Sequence, residues 1–532
     1  VIRLPINLHY MTDGAPNYII NPVLYNFLDS VITWAESLNI NLILDNHTFD
    51  PNVNTDATVI TPLTKVWTQI AKKYKDRSNL IFYKILNEPH GISTADWGNI
   101  QKTVIDSIRV YDMKHTIIVG GSGYNSYNEL QNLPAYTDDN LIYTFHFYDP
   151  FLFTHQGASW TSPSLAPLKN VPFPYNADSM PECPTALKGT WVENALCSSY
   201  KNDGTVDKIK QLIDVAIQFR NQKNVKIFCG EFGVYMLNAR DTDRTYWYKQ
   251  VREYFEANDI PWTIWDYQGD FGLFKYGSNE LFDYDLNISL LNSLGLNIPS
   301  QEEFVIKPDS VGFNLYTDFI GVNCFEKSYS NVPINFYSSD SPNNNKYCIS
   351  WPGPSQYQAI VLDFKPNKDL KYLVDNNYAL DFMVRANGNN VSFHVRFVDT
   401  KINTEDHPWR MHYVVDNKLF QSDGRWYHVR IPLSSFTEQG SWDGSWFNPE
   451  GKFDWTAVDK FEISAETNLT GTRLWFDNIM VSDKDTAKIY DTTITITTGV
   501  KDISFAKNGY GVKIYPQPMR DAINVEIVVN EI

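Results

Sequence analysis

From residue 1 to about 298 the chain alternates short apolar runs with longer stretches whose apolar residues recur at helical spacing. Runs at 1–6, 41–45, 80–86, 116–120, 141–147, 226–231 and 262–267 predict seven strands, and windows at 22–38, 60–75, 96–112, 206–221 and 242–257 predict the helices between most of them. Such alternation means a parallel sheet covered by helices. A closed (β/α) barrel needs eight strands, one more than the pattern supplies. Two glutamates stand at the ends of these runs, Glu88 in Asn87-Glu88-Pro89 and Glu231 in Gly230-Glu231-Phe232-Gly233. The carboxyl ends of barrel strands are where such folds keep their chemistry.

Beyond about residue 305 the pattern changes. Candidate strands at 379–385, 391–398, 426–431, 460–464 and 473–481 follow one another with turns between them, and helical spacing is weak. This predicts an all-β sandwich over 311–485, joined to the first domain (1–298) by a linker at 299–310. A Thr-rich, β-prone segment at 486–532 closes the chain.

Composition narrows the functions. With 43% hydrophobic and 20% charged residues, the 532-residue chain is ordinary globular material. A net charge of −17 opposes binding to nucleic acid, whose phosphates demand a basic surface, but suits a neutral polysaccharide. No apolar run is long enough to span a membrane. Aromatic residues reach 15%, which suits both packed cores and sugar-stacking surfaces. Of the five cysteines, Cys183 with Cys197 and Cys324 with Cys348 are candidate disulfide pairs, and Cys229 reads as a buried thiol.

Polar residues gather at the predicted strand ends: Arg3, His47, Asn87, Glu88, His146, Tyr148, Glu231 and Trp265. In a barrel these would converge on one face. Two carboxylates there are what glycoside hydrolysis requires.

The stretches Val1-Ile2-Arg3-Leu4-Pro5, Leu44-Asp45-Asn46-His47, Leu86-Asn87-Glu88-Pro89-His90-Gly91, His146-Phe147-Tyr148, Phe153-Thr154-His155-Gln156-Gly157-Ala158, Gly230-Glu231-Phe232-Gly233 and Trp262-Thr263-Ile264-Trp265 resemble, in order and spacing, glycoside hydrolase family 5, above all its endo-β-1,4-glucanases. The resemblance implies a retaining endoglucanase on a (β/α)8 TIM barrel, with Glu88 as general acid/base and Glu231 as nucleophile. It implies that Arg3 and Tyr148 hold Glu231, that Asn87 meets the sugar 2-OH, that His47 and His146 tune the pair, and that Trp265 lies beneath the sugar. No cofactor is expected for catalysis. The chain departs from the family pattern at Thr48, where relatives often carry a second His. It also starts at what matches the family's second strand, so an N-terminally truncated barrel lacking its first βα unit is expected.

The long connection at 148–205 predicts a cleft wall carrying His155, Trp160 and Trp191. In the sandwich, Asp423-Gly424-Arg425-Trp426-Tyr427-His428-Val429 and Leu474-Trp475-Phe476-Asp477-Asn478-Ile479 resemble carbohydrate-binding modules of the galactose-binding jelly-roll type. That resemblance implies a glycan-binding domain with Trp409, Tyr413, Trp442 and Trp446 as stacking candidates, Trp426 and Trp475 in the core, and Asp477 as a candidate ligand of a structural calcium. The tail Ile514-Tyr515-Pro516-Gln517-Pro518 with Ile523-Asn524-Val525 resembles a type IX secretion sorting domain, implying contact with that secretion machinery and a secreted or cell-surface protein. The expected partner is β-glucan polysaccharide and the expected state a monomer. The alternatives are another β-glycanase (acting on mannan, xyloglucan or mixed-linkage glucan) and a non-catalytic glycan-binding surface protein.

Overall fold

A computed structural model describes residues 1–48 and 53–484. The sorting-like tail lies outside the described residues. The chain divides into two compact units, Val1–Gln301 and the residues from Glu302 onward.

The first unit is built on six parallel strands in sequential order: β1 (Ile2–Ile6), β2 (Leu42–Asn46), β3 (Ile81–Lys84), β4 (Thr116–Gly120), β5 (Leu141–Phe147) and β6 (Lys226–Phe232). Helices α1 (Pro22–Ser37), α2 (Ile60–Tyr74), α3 (Thr94–Arg109), α4 (Val206–Lys223) and α5 (Asp241–Ala257) cover it. Local chemistry starts these helices where they begin. Asn21 accepts from the Val23 N–H ahead of Pro22, Ser93 from Asp96, and Thr205 from Lys208, each satisfying an otherwise orphaned amide. The apolar stripe Leu24, Leu28, Ile32 and Ala35 of α1 then packs into the same core as Trp67 and Ile70 of α2. Every residue of β2 is buried, as expected for a parallel strand covered on both faces.

The seventh predicted run is only partly realised. Around residues 261–265 the chain makes ladder bonds to β6, with the Cys229 N–H to the Pro261 carbonyl at 2.9 Å, Thr263 N–H to Cys229 at 3.0 Å and Trp265 N–H to Phe232 at 3.0 Å, but a bridge at Trp262 is all the regular pairing it reaches. Among the described residues the sheet is open, with β1 at one edge.

The long connection after β5 is a packed segment and not a bare loop. It folds into several single-turn helices, and Leu165, Leu168, Val171, Phe173, Leu187, Val192 and Tyr200 join the barrel core. That burial holds it, for the expected Cys183–Cys197 staple is absent. All five cysteines are free thiols, and Cys324 and Cys348 stand on strands of different sheets.

The second unit is an antiparallel sandwich. Its strands are β7 (Phe313–Tyr316), β8 (Cys324–Glu326), β9 (Asn335–Ser338), β10 (Cys348–Trp351), β11 (Gln358–Lys368), β12 (Ala379–Asn387), β13 (Phe393–Asp399), β14 (Trp409–Val415), β15 (Asp423–Pro432), β16 (Thr437–Trp442), β17 (Trp446–Phe447), β18 (Val458–Ala465) and β19 (Arg473–Ser482). One sheet runs β15-β12-β19-β10-β9 with β7 beside β19, and the other runs β17-β16-β14-β13-β18-β11-β8. Alternate residues such as Val395 and Phe397, Ile463 and Phe461, and Val384 and Phe382 point inward to a single core. The segment expected as a linker is engaged at both ends: the Gln301 side chain bonds Leu286 and Phe282 of the first unit, and the Asp309 N–H donates to the Asp369 carbonyl of the second.

Candidate active site

The strand-end residues of the first unit do converge. Arg3 leaves β1, and its Nη1 lies 2.7 Å from Glu231 Oε1 while its Nη2 lies 2.7 Å from Asp45 Oδ2 and donates to Asn87 Oδ1. The Tyr148 hydroxyl donates to Glu231 Oε2 at 2.8 Å. His146 Nδ1 stands 2.6 Å from Glu88 Oε1 and 3.3 Å from Glu231 Oε2. Donor oxygens of Glu88 and Glu231 approach to within 4.8 Å. His47 Nδ1 lies 2.9 Å from Asp45 Oδ2, and its ring stacks parallel on Trp265 with centroids 5.2 Å apart.

Backbone details set this geometry. Between β5 and β6 the register slips, so that Phe145 faces Cys229 but His146 faces Glu231. This bulge skips Gly230 and brings Glu231 alongside His146, a common device beside functional sites. A side chain at Gly230 would meet Thr144 Oγ1 at 2.7 Å, and one at Gly233 would meet the Trp265 carbonyl at 2.5 Å. The two glycines of Gly230-Glu231-Phe232-Gly233 are therefore the room that Thr144 and Trp265 occupy.

Two buried residues complete the cluster. These are Asp45 and Lys84, and neither stood among the candidate site residues read from the sequence. Lys84 Nζ lies 3.4 Å from Asp45 Oδ1, donates to the Asn87 carbonyl and Oδ1 at 3.1 Å each, and faces His146 Nε2 at 3.4 Å. The available signal was a lysine inside the apolar run Ile81-Phe82-Tyr83-Lys84-Ile85, where a charge survives only if partnered.

Charge and burial make the two glutamates unequal. Burial, and then the charge of Glu231, raise the Glu88 carboxyl well above its ordinary value. Burial opposes ionisation of Asp45, but Arg3 and Lys84 hold it below the usual carboxylate range. Burial and the neighbouring Arg3 lower Lys84 to about 8. Burial, with Lys84 and Arg3 nearby, holds His146 well below its usual value and so neutral. Its Nε2 faces the Lys84 ammonium, which assigns the ring proton to Nδ1, where it donates to Glu88. Burial and Glu231 keep Tyr148 a phenol, able to donate.

Aromatic residues of the connection after β5 continue outward from this cluster. The Tyr148 ring meets buried His155 edge-on at 5.2 Å, His155 stacks on Phe151 at 4.2 Å, and Phe151 lies 6.3 Å from Trp191. Trp160 packs edge-on to Tyr235 at 4.9 Å. Trp160 and Trp191 are each nearly half exposed, whereas His155, the third expected cleft-wall residue, is buried.

In the second unit the expectations divide. Trp442 and Trp446 are exposed at 56% and 46%. Trp409 is 1% exposed and is no surface platform, because it alternates inward on β14 and its backbone N–H donates to Asp399. Tyr413 is half-buried against the core. Trp475 is buried as expected, but Trp426 is only partly buried, its Nε1 donating to the Ser341 carbonyl. Asp477, the candidate calcium ligand, is buried, and its two carboxylate oxygens accept the backbone N–H groups of Asn343 and Asn478. Among the described residues, the one group of three acidic, His or Cys side chains close enough to share an ion is Glu88, His146 and Glu231.

Residues 1–270 match the family profile Cellulase (glycosyl hydrolase family 5). The chain belongs to glycosyl hydrolase family 5. Residues 317–483 match the profile of carbohydrate binding domain 30. Among curated relatives of this family 5 chain, Endoglucanase 3 of Fibrobacter succinogenes is 31% identical over 303 residues, covering 52% of this chain and 45% of that protein. Endoglucanase C of Acetivibrio thermocellus is 29% identical over 257 residues, covering 46% and 72%. Endoglucanase H of the same organism is 22% identical over 494 residues, covering 90% and 49%. The chain thus spans about half the length of Endoglucanase 3 and Endoglucanase H. Among solved structures, endoglucanase Cel5A of Thermotoga maritima aligns with a TM-score of 0.46 at 25% identity, over 55% of this chain and 84% of that one.

Proposed function

We propose that this chain hydrolyses internal β-1,4 bonds of glucan with retention of configuration, with Glu88 as acid/base and Glu231 as nucleophile. The observation that carries the reading is the pair of carboxylates within 4.8 Å, with one pushed toward the acid form and the other ion-paired to Arg3. Retaining glycosidases place their carboxyl groups about 5–5.5 Å apart, whereas inverting ones leave room for a water between them. Family membership and relatives named endoglucanases support glucan as the substrate.

The chemistry runs in two displacements. Glu88 donates its proton to the glycosidic oxygen as that bond breaks. Glu231 attacks the anomeric carbon and forms a glycosyl ester. Glu88, now a carboxylate, takes a proton from water, which attacks the same carbon and frees Glu231. Arg3 and Tyr148 orient Glu231 through their contacts at 2.7 and 2.8 Å. Neutral His146 holds one oxygen of Glu88, leaving the other for the transferred proton. Asn87 gives its carbonyl oxygen to Arg3 and Lys84, which turns its amide toward His47 and the sugar 2-OH. Trp265 offers a flat apolar face, and the second unit holds the chain on polysaccharide, raising effective concentration.

A panel of β-glucans, mannan and xyloglucan tests the substrate. Glu88→Ala and Glu231→Ala should both abolish hydrolysis. Azide should restore turnover of an activated aryl glycoside by Glu88→Ala, giving the β-glycosyl azide. Recovery of an α-azide from that variant, or near-wild-type activity in Glu231→Ala, overturns the assignment.

A further inference from the structure

Apart from the catalytic cluster, the first unit holds a cavity of about 440 Å³ between the segment after β6, the first turns of α5 and the chain at 274–289. Arg244 of α5 lines it. One residue links this cavity to the cluster: the Phe271 ring meets Tyr148 edge-on at 6.1 Å, and the Phe271 carbonyl accepts from Arg244 Nη2 at 2.8 Å. No step of the proposed reaction uses Arg244.

Arg244 is 1% exposed. Its Nε donates to the Val234 carbonyl at 3.1 Å, and its Nη2 donates to the carbonyls of Phe271 and Gly272 at 2.8 and 2.9 Å. Among the described residues, Nη1 makes no hydrogen bond and no carboxylate pairs with the guanidinium. By contrast, Arg3 and Arg396 each lie between two carboxylates. A guanidinium stays charged when buried, and a buried charge without a counter-charge is costly. The group that would balance Arg244 is an anion in the cavity that it lines.

The rest of the lining describes that anion. Lys275 borders the cavity and has no ion pair among the described residues. Asp243, in the first turn of α5, is engaged by Arg240 at 2.6 Å. Asp241 stands one helical turn before Arg244 without pairing with it. Its Oδ1 accepts from the Asn287 amide at 2.7 Å, and its Oδ2 accepts no hydrogen bond among the described residues. A bare anion would meet Asp241 as well as Arg244. A uronate avoids that conflict, because its carboxylate can face Arg244 while a ring hydroxyl donates to Asp241. Phe274 and Tyr276, the latter 62% exposed, supply apolar surface for the face of a pyranose ring. The volume also suits a sugar, since it falls in the range of about 300–1,000 Å³ typical of small-molecule sites.

We propose that this cavity is an acidic-sugar site of the first unit, taking a hexuronate whose carboxylate accepts from Arg244 Nη1 and Lys275, whose hydroxyl donates to Asp241 and whose ring lies on Tyr276. The site goes beyond the reaction at Glu88 and Glu231 and does not depend on it. It would let the first unit hold acid-bearing polysaccharide through a contact separate from the one that is cleaved. Free carboxylates share the charge of a uronate but not its ring, and neutral sugars share the ring but not the charge.

Saturation-transfer NMR titrations of the full chain separate these ligands, with methyl β-D-glucuronide as the probe, methyl β-D-glucoside as its neutral counterpart and acetate as the bare carboxylate. The glucuronide should bind with a Kd of about 1 mM or tighter, and the other two at least about tenfold more weakly, the worth of a charge-assisted hydrogen bond and of the ring contacts. Lys275→Met should weaken the glucuronide several-fold and leave the glucoside unchanged, and Tyr276→Ala should weaken the glucuronide as well. Both positions are exposed, and unchanged urea midpoints certify that the variants fold. Arg244→Met should abolish the preference for the glucuronide. An excess of cellobiose, a ligand for the reacting cleft, should leave glucuronide binding intact. Equal affinity for glucoside and glucuronide overturns the role of charge, and equal affinity for acetate overturns the sugar. Wild-type glucuronide binding by both Lys275→Met and Tyr276→Ala, or displacement of the glucuronide by cellobiose, puts the ligand elsewhere and overturns the site. If the wild-type chain hydrolyses no glucan but the glucuronide pattern holds, the proposed reaction fails and this site stands.

Discussion

Each unit buries an arginine between two carboxylates. Arg3 sits between Asp45 and Glu231, and Arg396 between Glu462 and Glu466. The difference lies in what surrounds each trio. Beside Arg396 stands a second cation, Arg410, so two positive charges meet two negative ones. Around Arg3 there are Lys84 and one further carboxylate, so Arg3 and Lys84 face Asp45, Glu231 and Glu88. Two cations cannot balance three carboxylates in a buried site, and the excess is relieved by keeping a proton. It falls on Glu88, which has no cation at contact distance among the described residues, only the neutral His146. A balanced trio is structural; an unbalanced one stores the proton that an acid catalyst needs.

The sharpest way to break this comparison is to remove each arginine. Arg3→Met should cut kcat by at least about 10²-fold, because it leaves Glu231 misaligned and further loads the cluster with negative charge. Arg396→Met should leave kcat on a short soluble substrate unchanged while costing the second unit about 3–5 kcal/mol, the usual penalty for stranding buried charge. Steady-state kinetics and urea titration measure both. Equal kinetic losses would mean the two clusters do not differ in kind.

The charge count can be sharpened from either side. Activity requires protonated Glu88, so the alkaline limb of the pH–rate profile falls as pH rises through its raised pKa. Asp45 raises that value and Lys84 lowers it. Asp45→Asn should therefore move the alkaline limb to lower pH, and Lys84→Met should move it to higher pH. Shifts of the same sign in kcat/KM profiles would refute the count.

Much of the site was legible in the chain because strand-end chemistry is local. Asn87, Glu88, His146, Tyr148 and Glu231 each end or follow an apolar run and Arg3 lies inside one, and a parallel sheet carries them together whatever the side-chain details. Lys84 and Asp45 were harder to read because their roles exist only across strands: Lys84 is meaningful once β2, β3 and β5 lie side by side, which no single run reveals. The aromatic residues of the sandwich show the same limit. Inward and outward positions on a strand differ by one residue, so Trp409, expected at the surface, is buried once the register is known. The tightness of the segment after β5 was also hidden, since its buried Leu165, Leu168 and Phe173 stand among Pro163, Pro167, Pro172 and Pro174, which interrupt any regular element.

The smallest expected effect separates the two trios by the sign of a stability slope. Glu88 has a native pKa above its unfolded value of about 4.3, so between the two values the native state binds more protons and stability falls as pH rises. Glu88→Gln removes that burden and should be more stable than wild type at pH 7, by a margin that shrinks toward pH 4. Glu466 behaves oppositely. Burial opposes its ionisation, but Arg396 and Ser464 hold its native pKa below the ordinary value, so its contribution is fully present above the unfolded pKa and is lost as pH falls through the native one. Glu466→Gln should therefore be less stable than wild type at pH 7, and the deficit should fade on acidification. Urea midpoints between pH 3 and 8, followed separately for each unit's transition, read both slopes. If Glu88→Gln were instead destabilising at pH 7, the first unit would hold no excess negative charge, and charge imbalance could not be what keeps the proton on Glu88.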